Sequence, residues 1–330
     1  MNAKRLFATT LALGISALAC ATALAADTYT LRFNHVLGPR EPFHKGFLKW
    51  AEQVDKRTDG GLKIQVYHSA QLGVEEDIIE QMRQGANIGQ NTDAARLGNY
   101  VPGIAVINGP YFVSDFKQAY ALADSPTVQQ WEQELADKHG LKVVCFDWIQ
   151  GFRNFFTNKA IRTPADLNGL RIRTPAAPIW QESIRALGAQ PVALNFGDVY
   201  PGLQQGAIDG AELVYPNITA GNLREVIDTA SETKHILLVN FEVVSARWFD
   251  KLPKDYQVAL TEECRRAGQA TSQEIDDATQ KARATLKDKG MTIVEDVDIP
   301  AFKAAGQKAY EVLGLTDAKA RVWKDIGITE

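Results

Sequence analysis

"MRQGANIG", Met82–Gly89, comes back later in the chain as "LQQGAIDG", Leu203–Gly210. The residues in front repeat in kind: "AQLGVEEDIIEQ" (70–81) is matched by "LNFGDVYPGLQ" (194–204). In each copy a short amphipathic run stops at Gln84-Gly85 or Gln205-Gly206, where glycine supplies the left-handed backbone position that ends a helix cheaply. The residues after each glycine read as a strand. The two stretches are therefore the same helix-to-strand joint, used once in each of two α/β units.

Working outward from the first copy, "TYTLRFNHV" (28–36) alternates like a strand, and "PFHKGFLKWAEQVDKRTDGG" (42–61) carries apolar residues at helical spacing until two glycines stop it. "LKIQVYHS" (62–69) is a second strand and Glu75–Gln84 a second helix, an order that predicts a parallel sheet with crossover helices. Around the second copy the alternation restarts at "KVVCFDWI" (142–149). "GLRIRTP", "PVALN" and "AIDGAEL" then read as strands, with "IWQESIRALG" and "GDVYPGLQQG" as the helices between. Ligands in open α/β sheets sit beyond the carboxyl ends of strands, so Asn91 and Asp93 after the first joint and Glu212 and Tyr215 after the second are expected to approach one cleft from opposite sides. The C-terminal third is mostly helical. Pro253–Gly290 predicts one helix some 50 Å long at 1.5 Å per residue, long enough to brace both units.

The N-terminus predicts a secretory leader: Lys4 and Arg5, an apolar run from Leu6 to Ala21, and the small-x-small site Ala23-Leu24-Ala25. A lipoprotein acylated at Cys20, the end of Ala17-Leu18-Ala19-Cys20, is the competing reading; cleavage after Ala25 discards that cysteine. The rest, about 305 residues, suffices for two medium domains. Losing Lys4 and Arg5 turns 36 basic against 40 acidic residues into 34 against 40, a mildly acidic balance that gives no reason to expect nucleic acid. Cys145, in an apolar run, and Cys264, in a helical pattern, are read as reduced and packed, with a bridge between them as the alternative that an oxidising compartment leaves open. Sequence motifs for a nucleophile elbow, a zinc helix, a phosphate loop or a dinucleotide fold are missing. The five histidines, His35, His44, His68, His139 and His235, show no metal-ligand spacing. Binding is expected rather than turnover, with no cofactor.

The positive signal lies in "WIQGFRNFFTNKAIRTPADLNGLRIRTPAAPIW" (148–180). Arg171 and Arg173 share one strand face by the period of two, and Arg173 stands at the strand's end, before Thr174-Pro175. A guanidinium there can take a carboxylate in two parallel charge-assisted hydrogen bonds; the spacing fits an ordinary surface ion pair as well. "GLRIRTPAAPIWQESIRALGAQPVALNFGDVYPGLQQGAIDGAE" (169–212) closely resembles the signature region of substrate-binding proteins of tripartite ATP-independent periplasmic (TRAP) transporters, the DctP-like family. The resemblance extends through "LRFNHVLGPREPFHKGFLKWAEQV", "YHSAQLG" and the late helix.

The resemblance implies a two-domain clamshell with a domain-spanning C-terminal helix. It places the carboxylate clamp on Arg173, an assisting arginine on Arg153, a closing aromatic on Phe196, and first-domain contacts on Glu75, Asp93 and the loop near His35 and Val36. Glu75 fits equally well as a first-turn acid favoured by the helix dipole. Leu213 stands where members binding sialic acid-type ligands have asparagine, so that contact pattern is not expected. Glu212 falls near a glutamate that α-keto acid binders use to hold a metal, but the tryptophan that comes after it there is missing, and no metal is expected. Trp148, Trp180, Phe196 and Tyr215 are candidate pocket aromatics, each able to serve in the core instead. The expected domains are residues 26–151 with about 239–278, and 152–238 with about 279–330.

By this resemblance the chain is a monomeric periplasmic receptor that binds a small organic anion such as a dicarboxylate, sugar acid, keto acid or aromatic acid. It delivers that anion to the small and large membrane subunits of a TRAP permease. Two other classes stay open: a periplasmic sensor serving a receptor kinase, which neighbouring genes would reveal, and an exported enzyme with Asp93 or Glu212 as general base.

Overall fold

In "LKIQVY" the inward residues Leu62 and Ile64 are buried while Lys63 and Gln65 face solvent, and the same logic places each early element. The computed structural model describes residues 28–329; the expected leader and its cleavage site lie outside them. The strands described are β1 (Tyr29–Asn34), β2 (Leu62–Tyr67), β3 (Ile88–Asp93), β4 (Leu141–Thr157), β5 (Arg171–Thr174), β6 (Gln190–Ala193), β7 (Gly210–Leu213), β8 (Thr229–Ser245) and β9 (Thr292–Val294). They form one sheet in the order β2-β1-β3-β8-β4-β7-β5-β6, with β9 on β8.

Each end of that sheet is parallel, as the alternation predicts: β1 lies between β2 and β3, and β5 between β6 and β7. The middle departs from the expectation. β8 runs antiparallel to β3 and to β4, and β4 antiparallel to β7. β4 and β8 are each 17 residues long and carry the sheet from one end to the other. Their pairing slips at several points, one of them between Ile149 and Gly151, where Gly151 has φ +104°.

Helix Pro42–Arg57 buries Phe43, Phe47, Trp50 and Val54, a stripe at three- and four-residue spacing. Helix Glu75–Arg83 buries Ile78, Ile79 and Met82, and its continuation confirms the repeated joint: Gly85 has φ +94°, its counterpart Gly206 has φ +67°, and β3 and β7 begin a few residues later. The helix expected over 253–290 runs from Lys254 to Asp288, 35 residues. On this helix Leu260, Cys264, Ala267 and Ile275 join the cluster of Phe47, Trp50 and Trp148, and farther along Ala282 and Leu286 join that of Leu223 and Tyr215. It therefore touches the cores of both ends of the sheet.

The expectation of two free cysteines is overturned. Cys145 on β4 and Cys264 on the long helix are joined in a disulfide, with Cα atoms 6.1 Å apart, a separation a bridge spans without backbone movement. Both are buried, as expected, but they are not thiols. Linear sequence hid this because the two elements are 119 residues apart and meet only through tertiary packing. No helix among the described residues is long and apolar enough to cross a membrane.

Candidate functional site

The ends of β3, β5 and β7 converge on a small cavity of about 50 Å³, walled by Arg173, Arg153, Glu75, Asp93, Trp180 and Phe196. Arg173 sits on β5 between Val192 of β6 and Ala211 of β7. It is 2 % exposed, and its guanidinium donates from Nε to the Leu194 carbonyl at 2.9 Å. No carboxylate among the described residues pairs with it. Burial, helped by the charge of Arg153, pushes its guanidinium down to about 9, the mark of a buried cation whose compensation is incomplete. Its strand neighbour Arg171 is the ordinary surface case, paired with Asp209 at 2.8 Å and 42 % exposed.

Arg153, on β4, is already matched. Its Nε donates to Glu212 Oε2 and its terminal nitrogen to the Glu212 backbone carbonyl. The other Glu212 oxygen accepts from Thr174 Oγ1 at 2.7 Å, and His235 Nε2 lies 3.7 Å from the first. Burial alone would raise the Glu212 carboxyl; the Arg153 charge and the His235 contact outweigh it and hold it down at about 2. The Arg153 guanidinium also stacks over the Trp180 ring at 4.9 Å, and Trp180 Nε1 is tied to the Asn108 carbonyl at 3.0 Å.

The facing wall is organised by Arg96, a residue that no sequence motif singled out. It binds Glu75 at 2.7 Å, Glu76 at 2.8 Å and Asp93 at 2.5 Å. Asp93 also caps the helical turn Ala94–Leu97, accepting from the Arg96 backbone N–H at 2.8 Å. Burial pushes the Glu75 carboxyl up to about 7 against the pull of Arg96. The spacing of Asp93 and Arg96, three apart, was the available signal for this cluster.

Phe196 is half-buried at the boundary between this cavity and a larger one of about 350 Å³, which also shares Val36 and Glu75. Three hydrogen bonds tie the first-end loop 38–41 to the second-end helix Tyr215–Ala220 and its exit. Asn217 Nδ2 donates to Glu41 Oε1 at 3.0 Å, while Arg40 donates to the Ala220 carbonyl and, at 3.2 Å, to Asn222 Oδ1.

Arg173, Arg153, Phe196, Glu75 and Asp93 are thus brought together; four other candidates are not on the cavity wall. Glu212 stands behind Arg153, each of its oxygens already accepting a hydrogen bond, one from Arg153 and one from Thr174. Tyr215 turns away, donating to Glu232 at 2.8 Å and meeting Phe156 edge-on. Trp148 is core, packed on Phe43 and Phe47 and so close to the long helix that a Cβ on Gly268 would lie 2.7 Å from its ring. His35 is fully buried beside Phe47, its Nε2 3.0 Å from His44 Nδ1; its neighbour Val36 reaches the cavity instead. Trp180, left open between core and pocket, lines it.

The cavity thus holds a buried arginine without a carboxylate partner among the described residues, at a strand end, framed by an aromatic and by acids on the opposite wall. The family model described as "DctP: bacterial extracellular solute-binding protein, family 7" matches residues 33–315, and the chain belongs to that family. A solute-binding protein of Roseobacter denitrificans is 30 % identical over 306 residues, 90 % of this chain and 92 % of the relative. Among solved structures, a TRAP periplasmic solute-binding protein from Roseobacter denitrificans with bound L-galactonate has TM-score 0.84 and 27 % identity, covering 91 % of this chain and 99 % of that one. Another, from Desulfovibrio salexigens in complex with diglycerolphosphate, has TM-score 0.86 and 28 % identity, covering 91 % and 97 %. The fold is that of two-domain TRAP periplasmic binding proteins.

Proposed function

We propose that this protein is an exported receptor, not an enzyme, that clamps a small organic acid by its carboxylate on Arg173 and delivers it to a TRAP permease. The observation that carries the reading is the state of Arg173: buried, pointed into a cavity, and without a carboxylate of its own among the described residues. An uncompensated buried cation is costly, so the site favours a ligand that supplies the missing charge with matched geometry. Arg153, fixed by Glu212, adds positive potential and a stacked wall rather than a second free clamp. Asp93 and Glu75, held by Arg96, offer acceptors from the opposite side.

The two walls belong to two domains, whose boundaries we place at 26–151 with about 239–278 and at 152–238 with about 279–330, β4 and β8 forming the hinge. A ligand that touches both walls stabilises the closed arrangement by the contacts made only there. A relative that carries L-galactonate supports the carboxylate class without fixing its member, and one that carries diglycerolphosphate supports only the wider class of small organic anions. The leader expected at the N-terminus fits delivery to the periplasm, the compartment of the related solute-binding proteins.

The test is calorimetry of the mature, ligand-stripped protein against a panel of small carboxylates and their neutral amides. At least one acid should bind and its amide should not. Arg173→Ala should weaken that acid more than a hundredfold with circular dichroism unchanged; survival of the affinity within tenfold would remove Arg173 as the anchor. A second measurement separates binding from folding roles. In the ligand-free protein, Arg173→Met should be neutral or raise the unfolding free energy, by about 1 kcal/mol or more, because an unpaired buried charge is removed.

A further inference from the structure

The chain holds another large cavity, about 370 Å³, which shares no residue with the cleft cavity or with the chamber beside it. On β4, Phe152 and Asn154 line it, while Arg153 between them lines the cleft. Successive residues of a strand point to opposite faces, so the two cavities lie on opposite faces of the same strand. β8 is shared in the same way, Glu232 and Lys234 lining this cavity and Leu238 and Asn240 the cleft. Since β4 and β8 join the two ends of the sheet, the cavity sits behind the hinge.

Its walls come from both ends. Phe116, which opens helix Phe116–Ala121, and Ile275 of the long helix belong to the first end. The second-end wall is tied together: Glu232 accepts from Tyr215 at 2.8 Å and from Arg283 at 2.6 Å, and Arg283 also binds Glu295. No such tie crosses the cavity among the described residues. Lys234, Asp276, Thr279 and Gln280 line it without a side-chain hydrogen bond or ion pair among those residues. The cleft side is the reverse. Asn217 with Glu41, and Arg40 with Ala220 and Asn222, bridge the two ends there, and the cavity holding Arg173 measures only about 50 Å³.

Two bodies that turn about a pair of strands part on one face as they meet on the other. Opening the cleft therefore brings Phe116 and Ile275 toward Tyr215 and Arg283, and the space behind the hinge is lost. Resting on the two-domain receptor reading above, we propose that this cavity is a regulatory space: closure of the cleft creates it, and a group that fills it holds the protein in the closed, ligand-retaining form. An aromatic group suits it, because Phe116, Phe152 and Ile275 supply apolar lining. Thr279 and Gln280, where the long helix passes from one end to the other, set the balance. Thr279 stands close to the hinge itself, since a Cβ on Gly151 would lie 3.8 Å from its Oγ1. Small or flexible side chains at these two positions leave the cavity unfilled and keep the open form accessible, which a receptor visits to load and to release.

The experiment places spin labels on Lys45→Cys and Gln204→Cys, exposed positions on opposite ends, while the native pair Cys145 and Cys264 is bridged and does not react. Pulsed electron paramagnetic resonance then measures the label separation in the ligand-free protein. It is run on the otherwise unaltered chain, on the fillers Thr279→Trp and Gln280→Trp, and on Thr279→Ala, which fills nothing. Gln280 is exposed, so its variant leaves the core intact if the other does not fold. The unaltered chain should lie mainly at a longer separation than this structure has. At least one filler should raise the fraction at the short separation about threefold or more, and tighten an acid from the panel above by a similar factor through slower release, with Thr279→Ala changing neither. An unaltered chain already closed without ligand, distributions unmoved in both fillers, or a shift to longer separations overturns the inference. Because the distances need no ligand, failure of every acid removes the receptor reading and leaves the inference to the distances alone. An acid that depends on Arg173 but binds the fillers no more tightly removes the inference and leaves the receptor reading.

Discussion

Glu212 holds Arg153, Thr174 and, more loosely, His235, so its role is to position the arginine beside the cavity rather than to touch the ligand. Glu212→Gln should cost about 3–5 kcal/mol of stability, the usual consequence of leaving a buried cation without its partner, and urea denaturation at pH 7 would show it; a loss below 1 kcal/mol would mean that Arg153 relaxes to solvent. His35 gives a second expectation. Burial first, then the nearby His44 and His68, pushes its ring down to about 3, from an ordinary histidine value near 6.5. The folded state thus prefers neutral His35. Its contribution is fully present above pH 6.5 and is lost as the pH falls from there toward 3, at up to ~1.4 kcal/mol per pH unit. His35→Asn should flatten the fall in unfolding free energy between pH 7 and pH 4.5, and an equally steep fall in the variant would assign the effect elsewhere. At this scale the sequence showed which arginine stands at a strand end but not which side chains of the neighbouring strand face it. The pairing of β4 slips between Cys145 and Trp148 and again between Ile149 and Gly151, so a period of two counted along β4 does not fix the face of Trp148, which turns into the core against Phe43 and Phe47.

The helix-to-strand joint was legible because its signals are local: an amphipathic turn, a Gln-Gly stop and a strand. The central pair was not. β8 reads "TASETKHILLVNFEVVS" and is buried along nearly its whole length, and a strand covered on both faces loses the alternation that betrays a half-exposed one. Its partner in the first end, β3, lies far upstream, Asn91 donating to Glu242 across 151 residues, a pairing no local pattern announces. The disulfide belongs to the same category. It fastens the long helix to β4, and reducing it, or replacing both cysteines by alanine, should lower the unfolding free energy by roughly 2–5 kcal/mol. Thermal melts with and without reductant would test this, and identical midpoints would mean that packing alone holds the helix in place.

For the whole molecule, the contacts of Arg40 with Ala220 and Asn222 join the two ends outside the walls of the cavity. If they help hold the closed form, Arg40→Ala should weaken ligand binding about three- to tenfold through faster dissociation, as expected when a closed population falls by that factor. Stopped-flow release would detect it, and an unchanged release rate would leave Arg40 a surface residue only. The strand order carries a further consequence, for biosynthesis. β1, β2 and β3 are made first, but the strand that completes their sheet, β8, is made only after β4, β5, β6 and β7 have been laid down. A chain emerging from the ribosome or from an export channel therefore cannot finish its first domain until Ser245 is out. Non-local pairing of this kind folds slowly, which leaves a long interval in which the polypeptide is still threadable. No consecutive fragment of the gene that stops short of β8 encodes a self-sufficient half.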